Sequence, residues 1–82
     1  MDASLDSAVT VTTSNSINKL TINCIEYTLN SHAILGIECY NDEQFVQVKT
    51  YRLPDDIFNS WGNDDNVIIT HITSNISTIL DN

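Results

Sequence analysis

The chain has 82 residues and a mass of 9.2 kDa, with three Lys plus Arg against eleven Asp plus Glu, a net charge of -8 and a pI near 4.1. A chain this short buries only about 60% of the surface its unfolded form exposes, which leaves room for one small core and argues against a deep enzyme cleft. With 41% hydrophobic residues it is too apolar for a disordered acidic tail, and Lys19, Lys49 and Arg52 are too few to line a phosphate backbone or an anionic membrane. No apolar run approaches the roughly 20 residues of a spanning helix. Met1 to Thr10 lacks the basic start and apolar middle of a secretory signal, so an intracellular protein or part of an assembly is expected.

Residues 1–16 (MDASLDSAVTVTTSNS) are dominated by Ser, Thr, Asp and Ala, and only Val9 to Thr13 has the β-branched content of a strand. The segment reads as an extended N-terminal arm, frayed in isolation or ordered by adding to a neighbour's sheet edge. Residues 17–82 read as a single small α+β domain.

Leu20, Ile22 and Cys24 alternate with Thr21 and Asn23, the period of a strand with one buried face. Ala33, Leu35, Ile37 and Cys39 do the same, and Val46 and Val48 follow with Thr50 in step. Asn30-Ser31-His32 and Asn41-Asp42-Glu43-Gln44 supply turn chemistry between these runs, which predicts an antiparallel meander. A two-residue turn at Ser31-His32 would set Cys24 across from Cys39. One at Asp42-Glu43 would set Cys39 across from Val46 and Ile37 across from Val48. The expected core face is then Leu20, Ile22, Cys24, Leu35, Ile37, Cys39, Val46 and Val48. The opposite face would carry Ile25, Tyr27, Leu29, Ile34, Tyr40, Phe45 and Tyr51 with Glu38 and Lys49, an aromatic surface for a face left to water.

Leu53-Pro54-Asp55-Asp56-Ile57-Phe58 predicts a strand end passing into one short helical turn, with Pro54 at the first helical position and Gly62 as the stop. Asp64 or Asp65 is the expected N-cap of a last element in which Ile68, Ile69, Ile72, Ile76, Ile79 and Leu80 recur at helical spacing. The β-branched run from Val67 to Thr73 weakens intrinsic helix propensity, and a strand over Val67 to Ile72 is the competing reading.

Chemistry-bearing residues are few. Cys24 and Cys39 have no C-x-x-C spacing and read as small buried hydrophobes, with a cross-strand disulfide as the alternative and a thiol activated by His32 or His71 as a third. Asp42-Glu43, Asp55-Asp56 and Asp64-Asp65 read as turns and caps, since adjacent side chains seldom converge on one atom and Asn63 to Asn66 lacks the alternating ligands of a calcium loop. No spacing lines up a nucleophile, a base and an orienting group, so neither an enzyme nor a metal or other cofactor is expected.

Leu53-Pro54 followed by Trp61-Gly62-Asn63-Asp64-Asp65-Asn66-Val67-Ile68-Ile69 resembles short accessory and structural proteins of tailed bacteriophages, in which an L-P turn leads to a W-G-x-D-D-x-V-I segment opening a closing helix. The resemblance implies a phage accessory or virion component, in the virion or the host cytoplasm, and carries over no functional site.

The expected fold is a small antiparallel meander of three to four strands with one short helical turn and a C-terminal helix packed on one face, Trp61 helping to close the core. The expected function is non-enzymatic: a capsid or tail subunit whose Tyr27, Tyr40, Phe45 and Tyr51 meet another copy or a larger phage protein. The alternative is an acidic inhibitor that presents Asp42, Glu43, Asp55 and Asp56 to a host defence or nucleic-acid-handling protein.

Overall fold

The computed structural model describes residues 1–11 and 15–81. Four strands form one antiparallel sheet in chain order: β1 Asp2–Val11, β2 Asn15–Thr28, β3 His32–Asn41 and β4 Gln44–Arg52. Two helices follow, α1 Asp55–Trp61 and α2 Asp65–Asp81. The architecture is the α+β meander with a packed C-terminal helix that the sequence leads one to expect. Residues Asp2–Val11 of the segment read as an arm pair with β2, and Met1 exchanges backbone hydrogen bonds with Ile22. Thr12 and Thr13 of the expected strand lie outside the described residues.

The helices cover one face of the sheet, α2 lying against β1 and α1 against β3. Ile17, Leu20 and Ile22 of β2 and Ala33, Leu35, Ile37 and Cys39 of β3 are sealed from water there, together with Leu53, Phe58 and the Ile68, Ile72, Ile76 and Ile79 stripe of α2. Each fully buried Ile contributes about 1.5–3 kcal/mol of transfer free energy, enough for packing to override the weak helix propensity of the β-branched run. The strand alternative for Val67 to Ile72 is thereby overturned.

Of the two helix starts, α2 has a carboxylate cap, while α1 has Asp55 and Asp56 in its first turn without a side-chain cap. Asp64 accepts a hydrogen bond from the Asn66 amide at 3.0 Å, the geometry of an N-cap. Pro54 stands at the N-cap of α1 with extended backbone (φ -60, ψ 149) rather than at the first helical position, and Gly62 ends α1 at φ 54. The β3–β4 turn is the expected Asp42-Glu43 pair, with Asp42 at φ 56. A β2 side chain braces that turn: Asn18 accepts from the Asp42 amide at 2.8 Å and donates to its carboxylate at 2.9 Å.

The registers correct the expected faces. The β2–β3 turn is a three-residue loop with Asn30 at φ 60, so Thr28 pairs with His32, and three to four residues of slip separate this from the expected pairing. Leu20 opposes Cys39, and Cys24 opposes Leu35. A bulge inserts Ile25 between the Cys24/Leu35 and Glu26/Ile34 pairs, and a second inserts Val46 between Tyr40/Phe45 and Cys39/Gln47. One extra residue in a strand reverses the face of every side chain beyond it. Val48 therefore opposes Glu38 and is 58% exposed instead of belonging to the core, while Val46 is half-buried at its rim. Cys24, also expected in the core, is exposed.

Candidate functional site

The face not covered by helices is built of cross-strand rows. Ser4, Lys19, Tyr40 and Phe45 oppose one another in one row; Asp2, Thr21, Glu38 and Val48 form the next. Asn23, Gly36 and Thr50 follow, then Glu26, Ile34 and Arg52. Ile25 lies across Gly36, where there is no side chain to displace it. Ile25 is 62% exposed and Phe45 54%, an unusual load for strand positions facing water. The Tyr40 and Phe45 rings meet edge to face at 5.8 Å, and the Tyr40 hydroxyl donates to Glu38 at 2.9 Å. That hydrogen bond to the carboxylate, with some burial and the nearby charges of Glu38 and Asp2, raises the Tyr40 pKa, so the phenol stays neutral well past physiological pH.

Of the four aromatics expected on this face, Tyr40 and Phe45 are there and Tyr27 and Tyr51 are not. The Ile25 bulge turns Tyr27 to the helix side, where its ring meets Phe58 at 5.5 Å and Trp61 at 6.0 Å. The Val46 bulge does the same for Tyr51, which stacks on His71 at 6.0 Å and shares a hydrogen bond of 2.9 Å with its Nε2. Partial burial, and then the charge of Asp56, raises the Tyr51 pKa. Lys49 likewise opposes Ile37 on the helix side.

The acidic residues singled out in the sequence stand apart from one another in role. Asp42 is tied to Asn18 in its turn; Asp55 and Asp56 occupy the first turn of α1; Asp64 caps α2, and Asp65 accepts from the Trp61 indole at 3.3 Å. Among the described residues no group of three His, Cys, Asp or Glu side chains stands close enough to hold a metal ion. Both cysteines are free. Burial pushes the Cys39 thiol up from 9.0 to about 11, which keeps it protonated and unreactive at neutral pH.

One arrangement escaped sequence reasoning. The Ser31 hydroxyl shares a hydrogen bond of 2.9 Å with His32 Nδ1, and His32 Nε2 meets the Glu26 carboxylate. The three side chains needed for an acyl-transfer relay thus stand in a row. Recognising Asn30 as a residue that tolerates positive φ would have set the three-residue loop and brought Glu26 diagonally beside His32. Ser31 is exposed at the hairpin tip, and these residues line neither of two surface clefts formed by the described residues. What the row does in the fold is tie the end of β2 to the start of β3.

Those clefts are shallow. One of about 490 Å³ lies at the Lys19 end of the open face, between Asp2, Thr21, Tyr40 and Glu43. The other, about 440 Å³, runs between α1 and α2 past Ile57, Val67 and His71. No helix is long and apolar enough to cross a membrane among the described residues. Comparison of the chain with protein-family models, with curated proteins and with solved structures finds no match.

Proposed function

We propose that this protein is a non-enzymatic structural or accessory subunit of a tailed bacteriophage that works by docking the open face of its sheet on another protein. The observation that carries the reading is the asymmetry of the sheet. Helices cover the core on one face, with Tyr27 half-exposed at its margin against Phe58 and Trp61, while the other face leaves Ile25, Phe45 and Val48 more than half exposed beside the Tyr40 ring with no element over them among the described residues. Apolar and aromatic side chains in an uncovered cluster are the ordinary composition of an interface centre. The phage attribution is supported by the Leu53-Pro54 and Trp61 to Ile69 stretches, which lead into α1 and supply its last residue, its Gly62 stop and the start of α2.

The test compares wild type with Phe45→Ala/Val48→Asp in two measurements: solution mass by light scattering behind a sizing column at low and high salt, and thermal melting. Both changed side chains face water, so the melt should be nearly unchanged. Self-assembly, or co-purification with a phage virion protein, should be lost. A variant that assembles like wild type would sink the reading. Assembly that survives Phe45→Ala/Val48→Asp yet dissolves in salt would point to the acidic turns.

A further inference from the structure

We infer that the open face is a two-fold interface with a second copy of this chain, packed sheet on sheet. The inference rests on the docking reading above and adds the identity of the partner. Its basis is the order of the rows. The first row reads Lys19, Tyr40, Phe45 across β2, β3 and β4, and the last reads Glu26, Ile34, Arg52 across the same strands. A two-fold axis lying between two such faces, at right angles to the strands, keeps each strand over its own copy and exchanges the ends. The last row then lies over the first. Lys19 meets the copy's Glu26, Tyr40 meets Ile34, and the Phe45 ring meets the Arg52 guanidinium, a cation–π pairing. Every contact occurs twice, as an isologous interface requires.

Charge supports self-pairing here and opposes it elsewhere. Residues 53–82 contain Asp55, Asp56, Asp64, Asp65 and Asp81 and no Lys or Arg, so the helical layer repels its own copy. The open face holds Lys19 and Arg52, two of the chain's three cations, against Asp2, Glu26 and Glu38. It is the surface on which the chain's net charge of -8 is least felt. The two outer rows are six β3 residues apart, about 20 Å, and four strands span about 19 Å, so the pair buries on the order of 1,000 Å² in total. That is the lower bound of a specific interface, and it predicts a weak, concentration-dependent dimer.

Sedimentation equilibrium of the full chain over a wide concentration range tests this with charge reversal. Lys19→Glu alone and Glu26→Lys alone should each raise the dimer dissociation constant about tenfold or more. An equimolar mixture of the two variants should recover wild-type strength, because each variant supplies the charge the other now needs. Recovery on mixing cannot come from variants that fail to fold. A wild type that stays monomeric throughout overturns the second-copy inference and leaves the face to a different protein. A dimer indifferent to both reversals but abolished by Phe45→Ala/Val48→Asp overturns this arrangement while the docking face stands. A dimer that survives all these changes overturns both.

Discussion

Gly36→Ala is the substitution whose sign the geometry of the open face decides. Gly36 sits in the middle of β3 with no positive φ, so alanine fits its backbone. Glycine in a strand interior costs about 0.5–1 kcal/mol relative to alanine, chiefly through the freedom it keeps when unfolded. Against that gain stands one close approach: a Cβ at position 36 would lie 3.0 Å from Ile25 Cδ1 and 3.4 Å from its Cγ1. The obstacle is the tip of a flexible side chain that is 62% exposed, free to move to another staggered rotamer. The net expectation is a monomer stabilised by about 0.5 kcal/mol, read in urea melts as a higher midpoint at unchanged slope. In an Ile25→Ala background, where no tip has to move, the same change should stabilise by about 1 kcal/mol, the full glycine term. Destabilisation by more than about 1 kcal/mol in the wild-type background would show that Ile25 is held where it lies, and that the face is not open in the monomer.

Ile72→Ala removes a fully buried side chain of α2 and should cost about 3 kcal/mol in chemical denaturation, a large share of the roughly 4–12 kcal/mol available to a chain of this size. Asp64→Ala should cost about 1 kcal/mol by losing the cap on the Asn66 amide, whereas Asp64→Asn keeps an acceptor and should melt within a few tenths of wild type. Because the folded protein holds the Cys39 thiol at about 11 against 9.0 ordinarily, the unfolded chain loses its proton first. The full stability is thus present below pH 9, and on the order of 2–3 kcal/mol should be lost as pH rises from 9 to 11. Urea melts of Cys39→Ala across that range should show a correspondingly smaller decline.

Period-two alternation in Leu20 to Cys24 and Ala33 to Cys39, helical spacing from Ile68 to Leu80, and the Pro54, Gly62 and Asp64 punctuation made the element types legible. All of these are local signals that a single strand or helix must carry whatever it packs against. Register was legible at the Asp42-Glu43 turn, where Tyr40 meets Phe45 as a two-residue turn requires, but not at the β2–β3 hairpin, where no Asn-Gly or Asp-Gly fixes the loop. Nor were the bulges. Ile25 and Val46 are ordinary strand residues, and what singles them out is the strand opposite, where Leu35 must stay on Cys24 while Ile34 stays on Glu26. From these two residues follow the misplaced Tyr27, Val48 and Tyr51, so half of the aromatic face was read correctly and half reversed. The Ser31, His32 and Glu26 row was lost to the same uncertainty in the hairpin loop.

After β4, Leu53-Pro54 turns the chain directly onto the core, and the remaining residues build α1 and the 17-residue α2. A helix of that length spans about 25 Å and the seven-residue α1 about 10 Å, against about 30 Å for the nine-residue β4 and about 46 Å for the 14-residue β2, so both helices are taken up by the core side of the sheet. A sheet with one solvated face folds well with polar residues there, as Thr21, Asn23 and Thr50 illustrate at neighbouring positions. The fold therefore has no need of Ile25, Phe45 or Val48, and an exposed edge-strand cluster of this kind raises the risk of unwanted association. Their presence on the one surface where the chain's cations gather is what a surface selected for a partner would carry.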